Sequence, residues 1–372
     1  MRRYDLDWLR VIVFALLIFY HVGMFFVPWG WHIKNNVIYE WLRIPMWFLN
    51  QWRLPILFII SGMGTYYALN KRSGLQFTIE RIKRLLVPLV FGMLIIVPPQ
   101  VYIERIAKSQ FLESYFSFWP SQAFIGVYPE GNLSWHHLWF LPYLLLFSLV
   151  LIPLFLFLRN NPNHISIKWL SKQIKSPFKI YLFIIPLYLA EAFLEPFFPT
   201  THALIGDWFT IINYILMFLF GFLLITVKDT FWNTVESYRK RFLVTGILLF
   251  TAMVWLVYNV PDSTVRHFTE ALIKVANLWS WILVLFGFAS KYFNTKSRTL
   301  SYCNQAVYPF YILHQTVTII IAYYLMNLEW SLFVKSSILA IGTFGISWIL
   351  YEFLIRRVKF LRPLFGLKKK TY

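Results

Sequence analysis

The chain has 372 residues, of which 59% are hydrophobic, 21% are aromatic and only 14% are charged. Soluble domains carry about 25% charged residues, so this composition excludes an ordinary soluble protein and indicates one that crosses a membrane several times. The net charge of +19 does not indicate nucleic-acid binding, because most of the 35 lysines and arginines fall in alternate loops rather than in one patch. The positive-inside rule then predicts that both termini are cytoplasmic.

Runs of roughly 20 apolar residues predict the membrane-spanning helices. The chain reads as a single all-α transmembrane domain over residues 1–372, with about ten spans. The first run continues past Phe25 without a small-residue cleavage site, which indicates a retained helix and not a signal peptide. The single cysteine, Cys303, excludes an intrachain disulfide. The predicted spans lie near residues 8–28, 45–68, 85–105, 137–158, 180–195, 208–227, 242–260, 271–290, 307–327 and 335–355.

The first span contains LRVIVFALLIFYHVG and carries two ionisable side chains, Arg10 and His21. Such groups are costly in lipid and rare there without a function or a partner. Their separation corresponds to about three helical turns, so both face the same direction, roughly 16 Å apart along the axis. Asp7, one turn before Arg10, can orient its guanidinium. Taken alone, Arg10 also fits a snorkelling anchor, and His21 also fits a histidine that is hydrogen-bonded inside the bundle.

The second span, FLNQWRLPILFIISGMGTYYAL, places Arg53 too far from the inner face to snorkel there, which predicts a pairing with a carboxylate or a ligand. Ser61 and Gly62 either form a small-residue packing patch or let a ligand approach the backbone closely. In RIKRLLVP, Arg81 and Arg84 lie at the inner mouth of the third span. Their guanidinium groups suit phosphate oxygens, although the positive-inside rule explains them equally well.

Further candidates are His136, His137 and Trp139 in SWHHLWFLPYLL, and His314 in the ninth span. Adjacent histidines on a helix point about 100° apart and make a poor metal pair. No HExxH motif or Cys/His cluster occurs, so no metal site is predicted. Trp139 equally fits an interfacial aromatic belt. The sequence also lacks GxxxxGK[ST], GxSxG and GxGxxG, which leaves nucleotide hydrolysis and α/β-hydrolase chemistry without support.

Six motifs occur in one order along nearly the whole chain, and with them the chain resembles the acyltransferase 3 family of membrane acyltransferases. Within that family, WGWHIKNN and QWRLPILFIISG resemble the glucan-modifying succinyltransferase branch. The motifs that carry the resemblance are YDLDWLR, Arg10 followed by His21, LFIISG (57–62), RIKRLLVP (81–88), HLWFLPYLL (137–145) and YPFYILH (308–314).

The resemblance implies transfer of an acyl group, acetyl or succinyl, from cytoplasmic acyl-CoA to a carbohydrate hydroxyl. The acceptor would be an extracytoplasmic or lipid-linked glycan, and the enzyme a multi-pass protein of a bacterial cytoplasmic membrane. No permanently bound cofactor is implied, since acyl-CoA is a co-substrate. The resemblance also implies that Arg10 and His21 are essential.

Chemistry suggests a role for each candidate residue. Guanidinium groups can hold the phosphates of acyl-CoA, while a neutral His21 can accept the proton of an acceptor hydroxyl. Direct transfer and a route through an acyl-enzyme on His21 or Ser61 both remain open. We therefore predict catalysis by His21 and Arg10, donor binding by Arg10, Arg81, Arg84, Ser61, Gly62 and His314, and acceptor binding by Arg53, His136, His137 and Trp139.

Two other classes fit the same composition. A polytopic transporter or flippase of an envelope glycan precursor would also bury charged residues in a helical bundle. A non-catalytic subunit of an envelope complex is the third hypothesis. The sequence does not show an inverted repeat, which would favour a transporter, and it does not indicate an oligomeric state.

Overall fold

The computed structural model describes residues 3–368 of the chain. Within these residues the secondary structure is helical, apart from one isolated bridge between Val127 and Leu133. The all-α prediction is therefore confirmed. Arg2, Lys369 and Lys370 belong to the predicted charge pattern and lie outside the described residues.

Sixteen α-helices follow one another along the described residues, and several continue directly into π or 3-10 turns. The α-helices are α1 (Tyr4–Met24), α2 (Arg43–Leu69), α3 (Gly74–Arg81), α4 (Val87–Phe91), α5 (Pro98–Ala107), α6 (Tyr115–Ser121), α7 (Phe140–Val150), α8 (Ile152–Asn160), α9 (Ile165–Ile174), α10 (Ile184–Leu189), α11 (Trp208–Thr226), α12 (Lys228–Asn259), α13 (Thr264–Tyr292), α14 (Arg298–Leu325), α15 (Leu332–Ile349) and α16 (Leu361–Leu364).

Seven helical runs among the described residues are long and apolar enough to cross a membrane, and a pair bent by 50° adds an eighth if it counts as one span. The bent pair is His136–Val150 with Ile152–Asn160. The runs are Tyr4–Met24, Gly74–Ala107, Trp208–Thr226, Lys228–Asn259, Thr264–Tyr292, Arg298–Leu325 and Leu332–Ile355.

Two of the spans expected from hydropathy are missing from this set. α2 is a long helix, but Arg53, Ser61 and its glycines lower the mean hydropathy of its apolar half. Residues 180–195 do not form one straight helix. They divide into a 3-10 turn, the short helix α10 and a π turn at Ala190–Leu194, in a segment that contains Pro186. A count of about ten spans thus remains a prediction from hydropathy.

The chain divides into two compact units, described here separately. The first unit comprises residues 1–13, 48–79 and 146–300 and contains most of α2 together with α8 to α13. Its core is rich in aromatic rings. The rings of Phe155 and Phe222 stack at 3.9 Å, and Phe183 packs on the fully buried Trp279 at 5.1 Å.

The second unit comprises residues 14–47, 80–145 and 301–372. It contains the C-terminal part of α1, the helices α4 to α6, the start of α7 and the helices α14 to α16. One buried apolar cluster joins the end of α1 to α5, α14 and α15, and so fixes the loop that follows α1. Its members are Val22, Phe25, Phe26, Ile33, Ile103, Ile319, Ala322, Leu325 and Leu339.

Two glycines let α2 and α11 touch backbone to backbone in the first unit. A Cβ atom on Gly62 would lie 1.9 Å from the carbonyl oxygen of Phe218, and one on Gly221 would lie 1.9 Å from that of Ile59. Close backbone approach at small residues is a usual way for membrane helices to pack. The structure therefore supports the packing alternative for Gly62.

Substitution of Gly221 by alanine should lower the stability of the purified protein by about 1–3 kcal/mol, because the two helices must separate to admit the methyl group. The matched control is Gly64→Ala, since a Cβ atom at Gly64 meets no atom within 4 Å. That control should be neutral or raise stability by up to about 1 kcal/mol, as alanine favours the helix. Thermal unfolding in one detergent measures both, and equal melting temperatures would contradict the close crossing.

Candidate functional site

Two of the predicted residues meet in the second unit. His21 near the end of α1 and His314 in the middle of α14 lie with Nδ1 of His21 2.8 Å from Nε2 of His314. Their rings are nearly parallel, with an interplanar angle of 12° and centroids 4.9 Å apart. The His314 side chain is fully buried. We call these two residues the histidine pair.

The direction of each hydrogen bond in the histidine pair follows from the backbone. Nδ1 of His314 lies 2.8 Å from the carbonyl oxygen of Tyr311 and 3.2 Å from that of Phe310. A carbonyl oxygen only accepts, so this nitrogen carries the proton. In the neutral ring Nε2 is then the acceptor, and Nδ1 of His21 donates to it. His21 is thereby held in the tautomer whose Nε2 carries a lone pair.

This arrangement suits a general base. A base must be oriented by a partner on its other nitrogen, and here the partner is a neutral imidazole anchored on a carbonyl. When Nε2 of His21 takes a proton, Nδ1 still donates to His314, so the imidazolium retains its hydrogen bond.

His137 supports the histidine pair from the side. Its Nε2 donates to the carbonyl oxygen of Ile312 at 3.0 Å, and its Nδ1 faces the amide of Gln100 at 3.4 Å. Its ring stands at 88° to the ring of His314, with centroids 5.2 Å apart. The hydroxyl of Tyr311 donates to the backbone carbonyl of His137 at 2.7 Å. His137 therefore locks the segment of α14 that carries His314.

A chain of buried amide and hydroxyl groups continues from His137. Gln100 donates to the hydroxyl of Thr316 at 2.7 Å and accepts from Gln315 at 3.1 Å. Thr316 in turn donates to the carbonyl oxygen of Ile96 at 2.7 Å. Gln315 also donates to Nε2 of His32 at 3.2 Å. Because that nitrogen accepts, the other ring nitrogen of His32 carries the proton.

Glu104 is the centre of a second group, which we call the carboxylate cluster: Glu104, His32, Lys108 and Tyr128. The carboxylate is buried and accepts from Nδ1 of His32, from Lys108 and from the hydroxyl of Tyr128, the last at 3.2 Å. Burial and the Glu104 carboxylate raise the pKa of Tyr128 to about 12. Its hydroxyl therefore stays protonated and keeps donating to Glu104.

His136 lies against the carboxylate cluster. Its ring meets the ring of His32 at 4.5 Å and that of Tyr128 at 4.7 Å, edge to face in both cases. Its backbone has a φ of 39°, a conformation that non-glycine residues adopt at a cost. Nε2 of His136 is shielded from solvent and has no hydrogen-bond partner among the described residues. A shielded polar atom without a protein partner is a reason to expect a bound water, an ion or a ligand group there.

Cationic side chains fix the loops that carry this site. Lys34 donates to the carbonyl oxygens of Met24, Val27 and Trp29 just after α1, and burial lowers its pKa to about 8. The fully buried Lys335 of α15 donates to the side chains of Asn35 and Asn36 at 2.6 and 3.0 Å. The loop with His32 is therefore held on both sides.

Arg105 does the same for the loop that carries Tyr128. Its guanidinium donates to Asn132 Oδ1 at 2.9 Å and to the carbonyl oxygens of Pro129 and Gly131 at 2.8 and 2.7 Å. Adjacent residues of α5 thus have different roles. Glu104 accepts hydrogen bonds from the side chains of His32 and Tyr128, and Arg105 holds the loop at residues 129–132.

Three further predicted residues, Trp139, Arg81 and Arg84, also belong to the second unit. Trp139 packs edge to face on the ring of Tyr143 at 5.4 Å. Arg84 is exposed, and its carbonyl oxygen accepts from the hydroxyl of Tyr308 at 2.9 Å. Arg81 ends α3, one turn before Arg84.

Four predicted residues belong to the first unit. Arg10 contacts Asp7 at 3.5 Å, the neighbour expected to orient it, and about a third of its side chain is exposed. Arg53 is buried, with 2% of its surface exposed, as expected for a residue that does not face lipid. The carbonyl oxygen of Ser61 accepts from Thr65 at 2.9 Å. Gly62 contacts α11.

Sequence reasoning predicted His137, but it gave no role to the other residues around the histidine pair and in the carboxylate cluster. Glu104, Gln100 and Gln315 are polar residues inside apolar helices, a signal that was available. His32 stands in WGWHIKNN, a stretch used only for the resemblance. Among the described residues no group of three histidine, cysteine, aspartate or glutamate side chains is arranged to hold a metal ion.

Comparison with known proteins gives a consistent result. A model of the acyltransferase domain of the acyltransferase 3 family matches residues 3–352. The chain is 24% identical over 384 aligned positions to glucans biosynthesis protein C of Escherichia coli (strain SMS-3-5 / SECEC), covering 98% of this chain and 94% of that protein. It is 23% identical, with the same coverage, to the protein of that name from Salmonella schwarzengrund.

Proposed function

The chain belongs to the acyltransferase 3 family of membrane acyltransferases, and we propose that it moves an acetyl or succinyl group from acyl-CoA to a hydroxyl of an envelope glucan. Acyl-CoA is a co-substrate in this proposal, and no cofactor stays bound. The name of its relatives, glucans biosynthesis protein C, supports a glucan as the acceptor. We place the protein in the cytoplasmic membrane of a bacterium, with both termini in the cytoplasm, because its basic loops alternate.

The histidine pair carries this proposal. The lone pair on Nε2 of His21 takes the proton of an acceptor hydroxyl while that oxygen attacks the thioester carbonyl carbon. The C–S bond then breaks, and the protonated His21 returns its proton to the departing CoA sulfur. The acyl group passes directly to the sugar, so no protein atom becomes acylated.

His314 has a positioning role in this mechanism. The sequence placed it among the donor-binding residues, and its buried ring next to His21 supports a different task. It holds His21 in the productive tautomer and accepts from it in both protonation states. Hydrogen-bond partners of metal-bound histidines typically contribute factors of about 10 to 100, and we expect an effect of the same scale from His314.

Donor binding is assigned to three arginines and to the motif LFIISG of α2, which contains Ser61 and Gly62. Arg10, Arg81 and Arg84 bind the phosphate groups of acyl-CoA, because a guanidinium pairs two hydrogen bonds with phosphate oxygens. Ser61 stays in the donor-binding group as the sequence predicted. Gly62 packs on the backbone of α11, so its proposed role is to set the position of α2 and not to contact the donor.

Acceptor binding is assigned to His136, together with Trp139 and Arg53, whereas His137, predicted from the sequence for the same group, has a supporting role next to His314. Of these, His136 has the strongest support, because its Nε2 has no hydrogen-bond partner among the described residues and the rings of His32 and Tyr128 fix its orientation. A sugar hydroxyl can both donate and accept, so it satisfies this nitrogen in either tautomer.

Loss of the base should stop turnover while donor binding persists. His21→Ala should lower kcat by about 10²-fold or more, and His314→Ala by about 10- to 100-fold. His314→Gln should recover part of that loss, because the amide can donate to the Tyr311 carbonyl and accept from His21. The assay is release of CoA from acetyl-CoA and succinyl-CoA by protein in nanodiscs.

The control for this series is His164→Ala, a histidine at the start of α9 in the first unit. Normal turnover in His21→Ala would exclude the catalytic assignment and favour a transporter or an assembly subunit. If His314→Gln behaved like His314→Ala, its role would be packing and not orientation.

Loss of Arg10 should weaken the binding of acetyl-CoA, in contrast to loss of His21, which lowers kcat. Arg10→Ala removes a contact made in ground state and transition state alike, so the Kd for acetyl-CoA should rise by about tenfold or more. Arg10→Lys should recover only part, since an ammonium keeps the charge but not the paired hydrogen bonds. Calorimetry in detergent measures this, with the exposed Arg43→Ala as control. Unchanged affinity in Arg10→Ala would assign Arg10 to membrane anchoring.

His136 and His137 should differ as acceptor residues. His136→Ala should raise the KM for a glucose oligosaccharide by about tenfold with little change in the donor Kd, because one ligand hydrogen bond is lost. His137→Ala should lower kcat instead, since its ring supports the histidine pair. A kinetic matrix over malto-, cello-, laminari- and sophoro-oligosaccharides tests this. Identical effects of the two changes would contradict the division of roles.

A further inference from the structure

The short helix α9 carries an exposed basic surface in the first unit. From Arg159 to Ala190 the sequence has five lysines and arginines and no aspartate or glutamate. Among the described residues, no hydrogen bond or ion pair is formed by the ammonium groups of these lysines, so their charge is available to a partner outside the chain. The four lysines are exposed and lie on α9 or directly after it: Lys168, Lys172, Lys175 and Lys179.

Large apolar side chains are exposed beside these lysines. Ile165 and Trp169 have 77% and 54% of their surface exposed, although α9 already buries another face. Phe178, just after α9, is 80% exposed. Exposed apolar residues of this size next to cations are typical of a helix that lies at a membrane surface. The buried face of α9 consists of Ile167, Leu170 and Ile174.

Helical geometry separates the two kinds of exposed side chain. At roughly 3.6 residues per turn, Lys168, Lys172 and Lys175 fall within about 60° of one another around the helix. Ile165 and Trp169 fall within about 40° of each other, next to the lysines and roughly opposite the buried face. α9 therefore has an apolar edge that faces away from the protein and a basic edge that borders it.

α9 lies where membrane-spanning runs end. It follows the bent apolar pair that ends at Asn160. The side-chain hydroxyls of Ser171 and Thr230 lie 3.2 Å apart, which places α9 beside the start of α12. Arg159, just before α9, donates to the carbonyl oxygen of Leu69 at the end of α2 at 2.9 Å. The positive-inside rule predicts that this side of the membrane is cytoplasmic.

We propose that α9 docks on the cytoplasmic surface of the bilayer and binds anionic phospholipids, of which phosphatidylglycerol is an example. Ile165, Trp169 and Phe178 enter the boundary between headgroups and acyl chains, and the four lysines bind headgroup phosphates. The positive-inside rule accounts for the lysines, but it does not account for three large apolar side chains exposed next to them. Each lysine adds attraction to a negatively charged lipid surface, so the four together favour anionic over zwitterionic lipid.

A fluorophore on α9 tests this proposal without reference to acyl transfer. Cys303→Ser removes the only cysteine, and Ser166→Cys then places an environment-sensitive dye at an exposed position of α9. The full chain is placed in phosphatidylcholine nanodiscs that contain a spin-labelled lipid as quencher, with or without phosphatidylglycerol. We expect phosphatidylglycerol to raise quenching by about twofold or more, and high salt to reverse this by screening the attraction. Equal quenching in both lipids would overturn the proposal.

Variants that remove charge locate the contact. Glutamine at all four lysine positions should abolish the response to phosphatidylglycerol, and these side chains are exposed, so the variant should fold. The control removes the same charge elsewhere in the first unit and should keep the response. A response that survives the first variant, or that the control also loses, would overturn the assignment to α9. The first variant combines Lys168→Gln, Lys172→Gln, Lys175→Gln and Lys179→Gln, and the control combines the exposed Lys240→Gln, Arg241→Gln, Lys296→Gln and Arg298→Gln.

The apolar edge and the identity of the occupant have their own tests. Trp169→Gln should lower quenching in both lipids, because the indole no longer enters the headgroup region. Unchanged quenching in that variant would overturn the insertion of the apolar edge. Loss of the phosphatidylglycerol response on addition of acetyl-CoA at constant ionic strength would overturn lipid as the occupant, since the lysines would then bind soluble phosphates.

Discussion

The carbonyl oxygen of Tyr311 fixes the direction of every hydrogen bond in the histidine pair. Because it can only accept, His314 must present a proton to it, and His314 must then accept from His21. The reactive nitrogen of His21 is thereby specified by a backbone group that cannot change its protonation state. Since α14 is continuous through this region, a regular helix supplies the anchor.

A neutral partner for His21 suits a membrane protein. A carboxylate in the position of His314 would orient the base equally well, but an uncompensated buried charge in a low-dielectric region is costly. The carboxylate of this site, Glu104, does not lie next to His21. It lies near the end of α5, where Lys108, one helical turn later, neutralises it. Neutral amides and hydroxyls, from Gln100 to Thr316, occupy the region between the two sites. The charge of Glu104 thus lies near a helix end beside a lysine, and not next to the histidine pair.

The sequence predicted the class of fold and that Arg10 and His21 share one helix, but its bounds for that helix, 8–28, were four residues late at each end, and it did not predict the environment of His21. Helical periodicity could predict the relative direction of Arg10 and His21, because both lie on one helix, where residue spacing determines direction. His314 is distant in sequence, and no local pattern indicates that it meets His21. The same holds for Glu104 and His32, whose contact depends on how the loop after α1 folds back. Hydropathy also treated residues 180–195 as one span, because averaging over a window conceals the π turn at Ala190–Leu194.

Several charged side chains lie away from the histidine pair, because they hold the loops of the site in place. Lys34 and Lys335 hold the segment with His32, and Arg105 holds the segment with Tyr128, each through several oxygen acceptors. A catalytic or binding site works only if its groups keep their positions to within a fraction of an ångström. Long loops in a membrane protein lack a sheet that would supply this constraint, and the apolar cluster fixes only part of the loop after α1. Here multidentate cations supply it, and His136 is consequently held in a strained conformation that an unrestrained loop would release.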